Sequence, residues 1–317
     1  MKAAVVESFD HAPRYGEFHE PVAQAGDVIV YVHASAVSQL VRAQAAGKHY
    51  TSGKPPFVPG VDGVGRLSNG QRVYFAFPRP PNGAMAERVA VSTANILPLP
   101  DDVDDVTAAA IANPGMSSWA ALTERTMLRR GESVLINGAS GASGRLAIQI
   151  AKYLGAARVV ATARNPGSEA DLLALGADVF VPLSLPPAAL TDRFRHEFTL
   201  GVDVVLDYLW GASAESLLSA VTGHGTGNAA RRVRFVNIGS MGGAVIPLEA
   251  ASLRSSGLEL CGSGLGSLSN AALIRAIGGV MQAVRSAKLR IAVEAVPLSS
   301  VKQVWATRTA ARIVLQV

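Results

Sequence analysis

The stretch SVLINGASGASGRLAIQIAKYLGA, residues 133–156, constrains the fold more than any other part of the chain, because it combines a strand, a glycine turn and a helix. Ser133–Asn137 is a short apolar run typical of a buried parallel strand. Gly138, Gly141 and Gly144 follow at intervals of three residues. From Arg145 onward, apolar residues recur with the spacing of a helix that is buried on most sides. Glycines in such a turn let the backbone approach a pyrophosphate, which the N–H groups at the helix start can bind.

The residues beyond the turn support a dinucleotide site. A second apolar strand, Arg158–Ala163, completes a βαβ unit of the expected length. Ala139 stands where the more common G-x-G-x-x-G pattern has its first glycine, and a strand-to-helix turn without a ligand is the alternative interpretation. Ser140 and Ser143 are predicted to cap the helix or to contact phosphate oxygens. We therefore predict that six consecutive residues bind the cofactor: Ala139, Ser140, Gly141, Ala142, Ser143 and Gly144.

The residue after the second strand selects the cofactor. NAD sites usually carry Asp or Glu about 20 residues beyond the glycines, where the carboxylate accepts a hydrogen bond from the ribose 2′-hydroxyl. The segment TARNP has Arg164 at this distance and no acid. A guanidinium forms charge-assisted hydrogen bonds with a 2′-phosphate, so NADPH is the predicted cofactor. An ordinary surface arginine is the alternative interpretation.

Composition limits the remaining functions. The 317 residues are 49% hydrophobic, which is enough for two domains with their own cores. The single cysteine, Cys261, excludes an intrachain disulfide and a multi-cysteine zinc site, so we expect a reducing, cytoplasmic setting. The net charge of +5 is scattered, and the sequence has no apolar run long enough to cross a bilayer. We therefore predict neither a nucleic acid nor a membrane as a partner.

The chain changes character near residue 114. Before this point it is β-rich and interrupted by Gly and Pro, with candidate strands at 3–7, 27–35, 63–67, 72–77 and 84–91. After it, helical segments separate most of the candidate strands at 133–137, 158–163, 179–181, 203–207, 234–238 and 258–261. A long helix at 270–287 and strands near 291–296 and 312–317 are predicted to follow, with these last strands returning to the first domain. This pattern predicts an α/β protein with a β-rich domain, residues 1–113 and 267–317, and a doubly wound parallel sheet, residues 114–266.

Segments spread over nearly the full length carry a resemblance to a known family. They read VHASAVSQLVRAQAAGKHY, PFVPGVDGVG, ANPGMSSWAAL, INGASGASGRLAIQIAKYLGA, GVDVVLDYLWG, VNIGSMGG and RTAARIVLQV. The chain resembles the medium-chain dehydrogenase/reductase superfamily, and within it the zinc-free quinone oxidoreductase branch. The resemblance implies a GroES-like catalytic domain, a Rossmann domain that binds NADPH, and an active site in the cleft between them.

The same resemblance implies that the site holds no metal. Zinc-dependent members use a cysteine near the start and a histidine in a Gly-His-Glu segment. Here the segment PGVDG puts Val61 at the histidine position and Asp62 at the acid position, and the loop around Ser38 has no cysteine. The cysteine-rich lobe that binds structural zinc is also missing, and Cys261 cannot replace it.

Further cofactor contacts are implied by position. The resemblance places Ser117 near the nicotinamide ribose or phosphate, Asn237 and Gly239 in a loop beside the cofactor, and Arg308 near the cofactor phosphates. The alternative roles are a helix cap for Ser117, a turn residue for Asn237 and a surface charge for Arg308. Relatives often add a lysine and a tyrosine around the 2′-phosphate. This chain has Ser168 and Pro182 there, which leaves most of that recognition to Arg164.

The substrate follows from the missing metal. Without a Lewis acid, the acceptor must be an electron-poor small molecule, and quinones and α,β-unsaturated carbonyls meet this requirement. Tyr50 matches a tyrosine near the nicotinamide in relatives and is predicted to donate to the developing oxyanion, while Ser38 matches a polar active-site position. A 2-enoyl-thioester reductase and a non-catalytic NADPH-binding redox sensor or structural protein are the alternatives. Members usually dimerise through an edge strand, here predicted at Gly257–Gly262, so we expect a homodimer.

Overall fold

The computed structural model describes residues 1–222, 231–307, 309 and 311–317. Contacts within this part of the chain define two units, Met1–Asn113 with Ile277–Val317, and Pro114–Ala276. The sequence places the return to the first unit at residue 267. The contacts place it at residue 277, inside the long helix Asn270–Ser286.

Antiparallel strands dominate the first unit, because its short β-branched runs are separated by Gly and Pro. Within the described residues, β1 and β2 form a two-stranded sheet, and the tail of the chain completes a seven-stranded one. The elements in chain order are β1 (Lys2–Val5), β2 (Arg14–Glu17), β3 (Asp27–Ala36), α1 (Gln39–Ala45), β4 (Asp62–Arg66), β5 (Arg72–Ala76), β6 (Arg88–Ser92), β7 (Ile96–Pro98) and α2 (Asp105–Ala120), whose last turns belong to the second unit.

Strands and helices alternate in the second unit, which a π-helical segment, Ala121–Arg125, joins to α2. The elements are β8 (Ser133–Asn137), α3 (Ala142–Tyr153), β9 (Arg158–Ala163), α4 (Glu169–Ala174), β10 (Val179–Pro182), α5 (Pro187–Leu200), β11 (Val204–Asp207), α6 (Gly211–Val221), β12 (Arg232–Asn237), α7 (Ala250–Arg254) and β13 (Gly257–Gly262). Within the described chain they form one parallel six-stranded sheet in the order β10-β9-β8-β11-β12-β13. This is the strand order of a doubly wound dinucleotide-binding fold, as the sequence predicted.

The tail consists of α8 (Asn270–Ser286), β14 (Val293–Pro297), α9 (Val301–Trp305) and β15 (Arg312–Gln316). β15 pairs antiparallel with β3, with Val314 opposite Ala36, and β14 pairs parallel with β15. The predicted return of the last strands to the first unit is therefore confirmed. In the described part of the chain, no helix is both long and apolar enough to span a membrane.

Two element boundaries differ from the sequence-based prediction by three residues or more, whereas the others shift by at most two. The helix after the glycine turn begins at Ala142 and not at Arg145, because the turn is complete at Gly141, whose backbone is extended. The strand predicted at 84–91 begins only at Arg88. Residues just before it bond to a loop instead, with the N–H of Ala84 donating to the Gly60 carbonyl and that of Met85 to the Pro59 carbonyl.

Candidate cofactor site

The glycine turn is anchored to the end of the neighbouring strand β9. Gly138 has a positive φ of 91°, a conformation that L side chains rarely adopt. Its N–H donates to Thr162 Oγ1 at 3.1 Å, and the N–H of Ala139 donates to the Thr162 carbonyl oxygen at 2.8 Å. The βαβ unit predicted from the sequence is therefore present, and its turn is fixed by backbone and side-chain hydrogen bonds.

Gly144 and Gly141 have different steric roles in the turn. A Cβ atom on Gly144 would lie 2.5 Å from the Gly138 carbonyl oxygen and 2.6 Å from the Ala139 Cα, so only glycine fits. A Cβ atom on Gly141 would approach the Gly138 oxygen no closer than 4.0 Å. Gly141 therefore leaves open the space that a side chain would fill at the start of α3. This space suits the close backbone approach of a pyrophosphate.

The start of α3 is uncapped by side chains within the described residues. Gly141 is the N-cap residue, and neither Ser140 nor Ser143 makes a side-chain hydrogen bond in this part of the protein. The predicted capping role of these serines is therefore wrong, because Gly141 occupies the N-cap position, with Ser140 before it and Ser143 inside the first turn. The first N–H groups of a helix have no intrahelical acceptor and carry partial positive charge, so they can bind an anion.

A row of polar residues lies where three parallel strands end. Asn137, Asp207 and Asn237 are aligned in register across β8, β11 and β12. Asn137 Nδ2 donates to Asp207 Oδ1 at 2.8 Å, and Asn237 Nδ2 donates to Asp207 Oδ2 at 3.4 Å. Burial raises the pKa of Asp207, although hydrogen bonds from Trp210, Leu209, Asn137 and Asn237 oppose this effect. Sequence reasoning identified Asn237 and missed Asp207, whose signal was an acid at the end of the apolar run VVLD.

The loop after β12 is held close to the loop after β11. Asn237 Nδ2 also donates to the Gly239 carbonyl oxygen at 2.9 Å. A Cβ atom on Gly239 would lie 2.6 Å from the Tyr208 carbonyl oxygen, so glycine permits this contact. The structure therefore brings Gly239 next to Asn237 of the polar row. The hydrogen bond between them gives Asn237 a turn-stabilising role, whether or not it contacts the cofactor.

Ser117 lies beside a tyrosine that sequence reasoning did not single out. Ser117 Oγ donates to the Pro114 carbonyl oxygen at 2.7 Å, inside α2. Because this bond uses the serine proton, Tyr208 is the donor in the 3.4 Å contact between the two hydroxyl oxygens. Burial raises the pKa of Tyr208 to about 12, so the tyrosine keeps its proton at neutral pH. Ser117 is not the helix cap considered as the alternative, because α2 begins at Asp105.

The residues predicted around the 2′-phosphate fall in three places. Arg164 directly follows β9, is exposed, and makes no ion pair within the described residues. Ser168 ends a short 3₁₀ turn, Pro166–Ser168, and Pro182 ends β10. Arg308 lies outside the described residues, so its predicted contact with the phosphates stays a prediction.

The two predicted catalytic residues lie in the first unit. Ser38 is buried, and its Oγ accepts a hydrogen bond from the Val41 N–H at 3.0 Å as the N-cap of α1. Tyr50 is 76% exposed, and its ring centroid lies 4.1 Å from that of His49. These contacts position the two side chains without assigning either of them a chemical step, so their catalytic roles stay predictions.

Asp62, at the acid position of the zinc-dependent pattern, is a buried structural group. The Tyr74 hydroxyl donates to Asp62 Oδ2 at 2.8 Å, and Asn113 Nδ2 donates to Oδ1 at 3.4 Å. Burial raises the pKa of Asp62 from 3.8 to about 6, against the effects of Tyr74, Arg312 and Asn113. Among the described residues, no group of three or more His, Cys, Asp or Glu side chains is placed to hold a metal ion.

Known proteins are similar to this chain in sequence and fold. The profile of the zinc-binding dehydrogenase family matches residues 142–277. The probable NADPH-dependent quinone reductase tdiC of Emericella nidulans is 28% identical, with 96% of each chain aligned. The solved quinone oxidoreductase of Thermus thermophilus, also determined with NADPH, superimposes with a TM-score of 0.80 and 28% identity over all of both chains. These matches support the medium-chain dehydrogenase/reductase superfamily, in its quinone-reductase-like branch, as the family of this chain. A mycobacterial quinone oxidoreductase, 22% identical over all of both chains, shares this superfamily's fold with a TM-score of 0.85.

Proposed function

We propose that this protein is an NADPH-dependent oxidoreductase that reduces quinones or α,β-unsaturated carbonyls by hydride transfer without zinc. The observation that carries the proposal is the open glycine turn at Gly141, followed by Arg164 in the place of the usual acid. The Emericella nidulans relative and the Thermus thermophilus structure support it, since their names include NADPH and quinone reduction.

The residues of the second unit suit each part of the cofactor. The uncapped N–H groups at the start of α3 would bind the pyrophosphate through residues 139–144. Arg164 would pair with the 2′-phosphate, because its guanidinium is exposed and matches phosphate geometry. Ser117 and the Asn237–Gly239 loop would hold the nicotinamide half, and Arg308 would approach the phosphates. When bound, NADPH supplies the hydride.

The first unit would contribute hydrogen-bond donors to the acceptor. Tyr50 would donate its hydroxyl proton to the oxygen on which negative charge develops. Ser38 Oγ accepts from the Val41 N–H, so its own proton is available for a polar group of the substrate. Without a metal, donors of this kind and correct orientation supply the rate enhancement.

A panel of acceptors tests this function. NADPH oxidation is followed by its absorbance with quinones, enones, 2-enoyl thioesters and, in the reverse direction with NADP⁺, simple alcohols. We expect turnover with quinones or enones. Turnover of simple alcohols alone would contradict the proposal. Preferred turnover of enoyl thioesters would favour the thioester reductase, and tight NADPH binding without turnover would favour a redox sensor or structural protein.

We also propose a homodimer in a reducing, cytoplasmic setting. β13 is the terminal strand of the described parallel sheet, and its sequence GLELCG is largely apolar. An unpaired edge with this content favours association with a second copy. Light scattering coupled to size exclusion at micromolar concentration should give twice the chain mass, and a monomer mass would contradict the dimer.

A further inference from the structure

The polar row at the ends of β8, β11 and β12 has one direction of hydrogen bonding. The Gly138 N–H can only donate, and its acceptor is Thr162 Oγ1 at 3.1 Å. The Thr162 hydroxyl donates its own proton to Asn137 Oδ1 at 2.9 Å. This contact fixes the orientation of the Asn137 amide, so that its nitrogen faces Asp207 Oδ1 at 2.8 Å and Ser213 Oγ at 2.9 Å. The chain of bonds therefore ends at Asp207.

Asp207 accepts every hydrogen bond that reaches it in the described part of the chain. Besides the two asparagine amides, the backbone N–H groups of Leu209 and Trp210 donate to its carboxylate at 3.0 and 3.1 Å. The side chain is fully buried, and within the described residues it has no cationic partner. A carboxylate is an acceptor with several lone pairs, so the ionised form satisfies all these donors at once.

Three segments meet at this carboxylate. Asn137 and Thr162 connect it to the Gly138 turn, the N–H groups of Leu209 and Trp210 connect it to the loop after β11, and Asn237 connects it to the loop after β12. The loop after β11 needs this support, because Trp210 has a positive φ of 58°. Two groups of proposed cofactor contacts, residues 139–144 and Asn237 with Gly239, lie in or next to these segments.

We infer that Asp207 is a positioning residue for NADPH, which holds the glycine turn and the two following loops in the arrangement that binds the cofactor. The inference rests on the proposed function and adds to it a residue that acts through the protein segments it holds. The position of the three segments depends on both carboxylate oxygens of Asp207. If one oxygen is lost, a buried donor has no acceptor, and the segment that carries this donor is no longer held.

The Asp207→Asn variant tests the inference, because it keeps the shape and replaces one acceptor oxygen with a donor. The dissociation constant of NADPH is measured directly by fluorescence titration, together with the melting temperature and the KM for NADPH and for the quinone. We expect the NADPH dissociation constant and KM to rise about 10-fold or more, while the KM for the quinone stays within about twofold. The matched control is Asp203→Asn on the residue before the same strand, where the carboxylate accepts from the Ser133 N–H at 2.8 Å and pairs with Arg231 at 2.6 Å.

A second pair of variants keeps the test decisive if Asp207→Asn fails to fold. Thr162→Val removes the hydroxyl that links the Gly138 N–H to Asn137, whereas Thr162→Ser retains it. We expect Thr162→Val to weaken NADPH binding and Thr162→Ser to restore most of it at similar melting temperatures. Equal NADPH affinity in these two variants, or equal losses of affinity in Asp207→Asn and Asp203→Asn, would overturn the inference. If the wild-type chain binds no NADPH, the proposed function fails as well.

Discussion

A Cβ atom on Gly144 would lie 2.5 Å from the carbonyl oxygen of Gly138, a distance that real side chains do not reach. The first turn of α3 thus packs directly on the strand-to-helix turn, and this contact fixes where the first N–H groups of the helix lie. The open space at Gly141, which has no such restriction, is then available to an anion.

Gly144→Ala should therefore damage both folding and NADPH binding. Because backbone atoms must move, we expect the free energy of unfolding to fall by about 1–3 kcal/mol, as in other overpacked sites. Gly141→Ala is the matched comparison: as an N-cap change it should cost about 1 kcal/mol or less, yet weaken NADPH binding by filling the open space. Urea unfolding and NADPH titration of both variants measure these effects. Equal stability losses in the two variants would contradict the steric argument.

Arg164→Ala should reduce the preference for NADPH over NADH. A hydrogen bond between charged groups contributes about 1.5–3 kcal/mol, so the NADPH dissociation constant should rise roughly 10- to 100-fold while that of NADH stays within about twofold. Arg195→Ala is the control, since Arg195 is also exposed and pairs only with Asp192 among the described residues. A parallel loss of NADH affinity in Arg164→Ala would show that Arg164 does not read the 2′-phosphate.

The βαβ unit was predictable because each of its signals is local. The strands at Ser133–Asn137 and Arg158–Ala163 have the predicted bounds, since short apolar runs between turn residues leave few alternatives. The start of α3 was misplaced because Ala142 and Ser143 precede the first apolar residue of the helical pattern. Helix boundaries of this kind depend on the backbone conformation of the turn, which the pattern of apolar residues does not contain.

The polar row was not predictable, because it depends on strand register. Asp207 is 70 residues from Asn137 in the chain, and only the pairing of β8 with β11 brings the two side chains together. The contact of Ser117 with Tyr208 likewise joins residues 91 positions apart. A resemblance to a family gave candidate positions such as Asn237, but the hydrogen bonds that orient them come from the three-dimensional structure.

Tyr50→Phe should lower the turnover number for quinones without changing the affinity for NADPH. Loss of one donor to a developing oxyanion costs about 10²- to 10³-fold in turnover. Because Tyr50 as a whole residue is largely exposed, we expect a smaller effect of roughly 10-fold. Tyr31→Phe on β3 is the control, because Tyr31 is also an exposed tyrosine of the first unit. Steady-state kinetics with each substrate varied separately would decide, and unchanged turnover in Tyr50→Phe would remove the proposed donor.

Asp62 should make the protein less stable as the pH rises through about 6. Burial raises the pKa of this carboxyl from 3.8 to about 6, so the folded state binds a proton that the unfolded state has lost. The stabilising contribution of Asp62 is complete below about pH 4 and is lost as the pH rises through the folded pKa. By pH 7 this loss lowers the free energy of unfolding by about 3 kcal/mol. Asp62→Asn should therefore remove a fall in unfolding free energy that the wild-type chain shows between about pH 4 and pH 7.

Asp105 gives the matched comparison with the opposite sign. Its burial opposes ionisation, but the hydrogen bonds from Arg72 and His33 outweigh this effect and lower its pKa. The stability it contributes is present above 3.8 and is lost as the pH falls through its folded pKa. Urea unfolding is therefore measured from pH 7 down to below pH 3.8. Asp105→Asn should be less stable than the wild type at neutral pH and lose this difference below pH 3.8, whereas Asp62→Asn should be more stable than the wild type at pH 7 and lose this advantage by about pH 4. If the unfolding free energies of both variants run parallel to that of the wild type at every pH, the pKa of neither carboxyl differs between the folded and unfolded states, and both predictions are wrong.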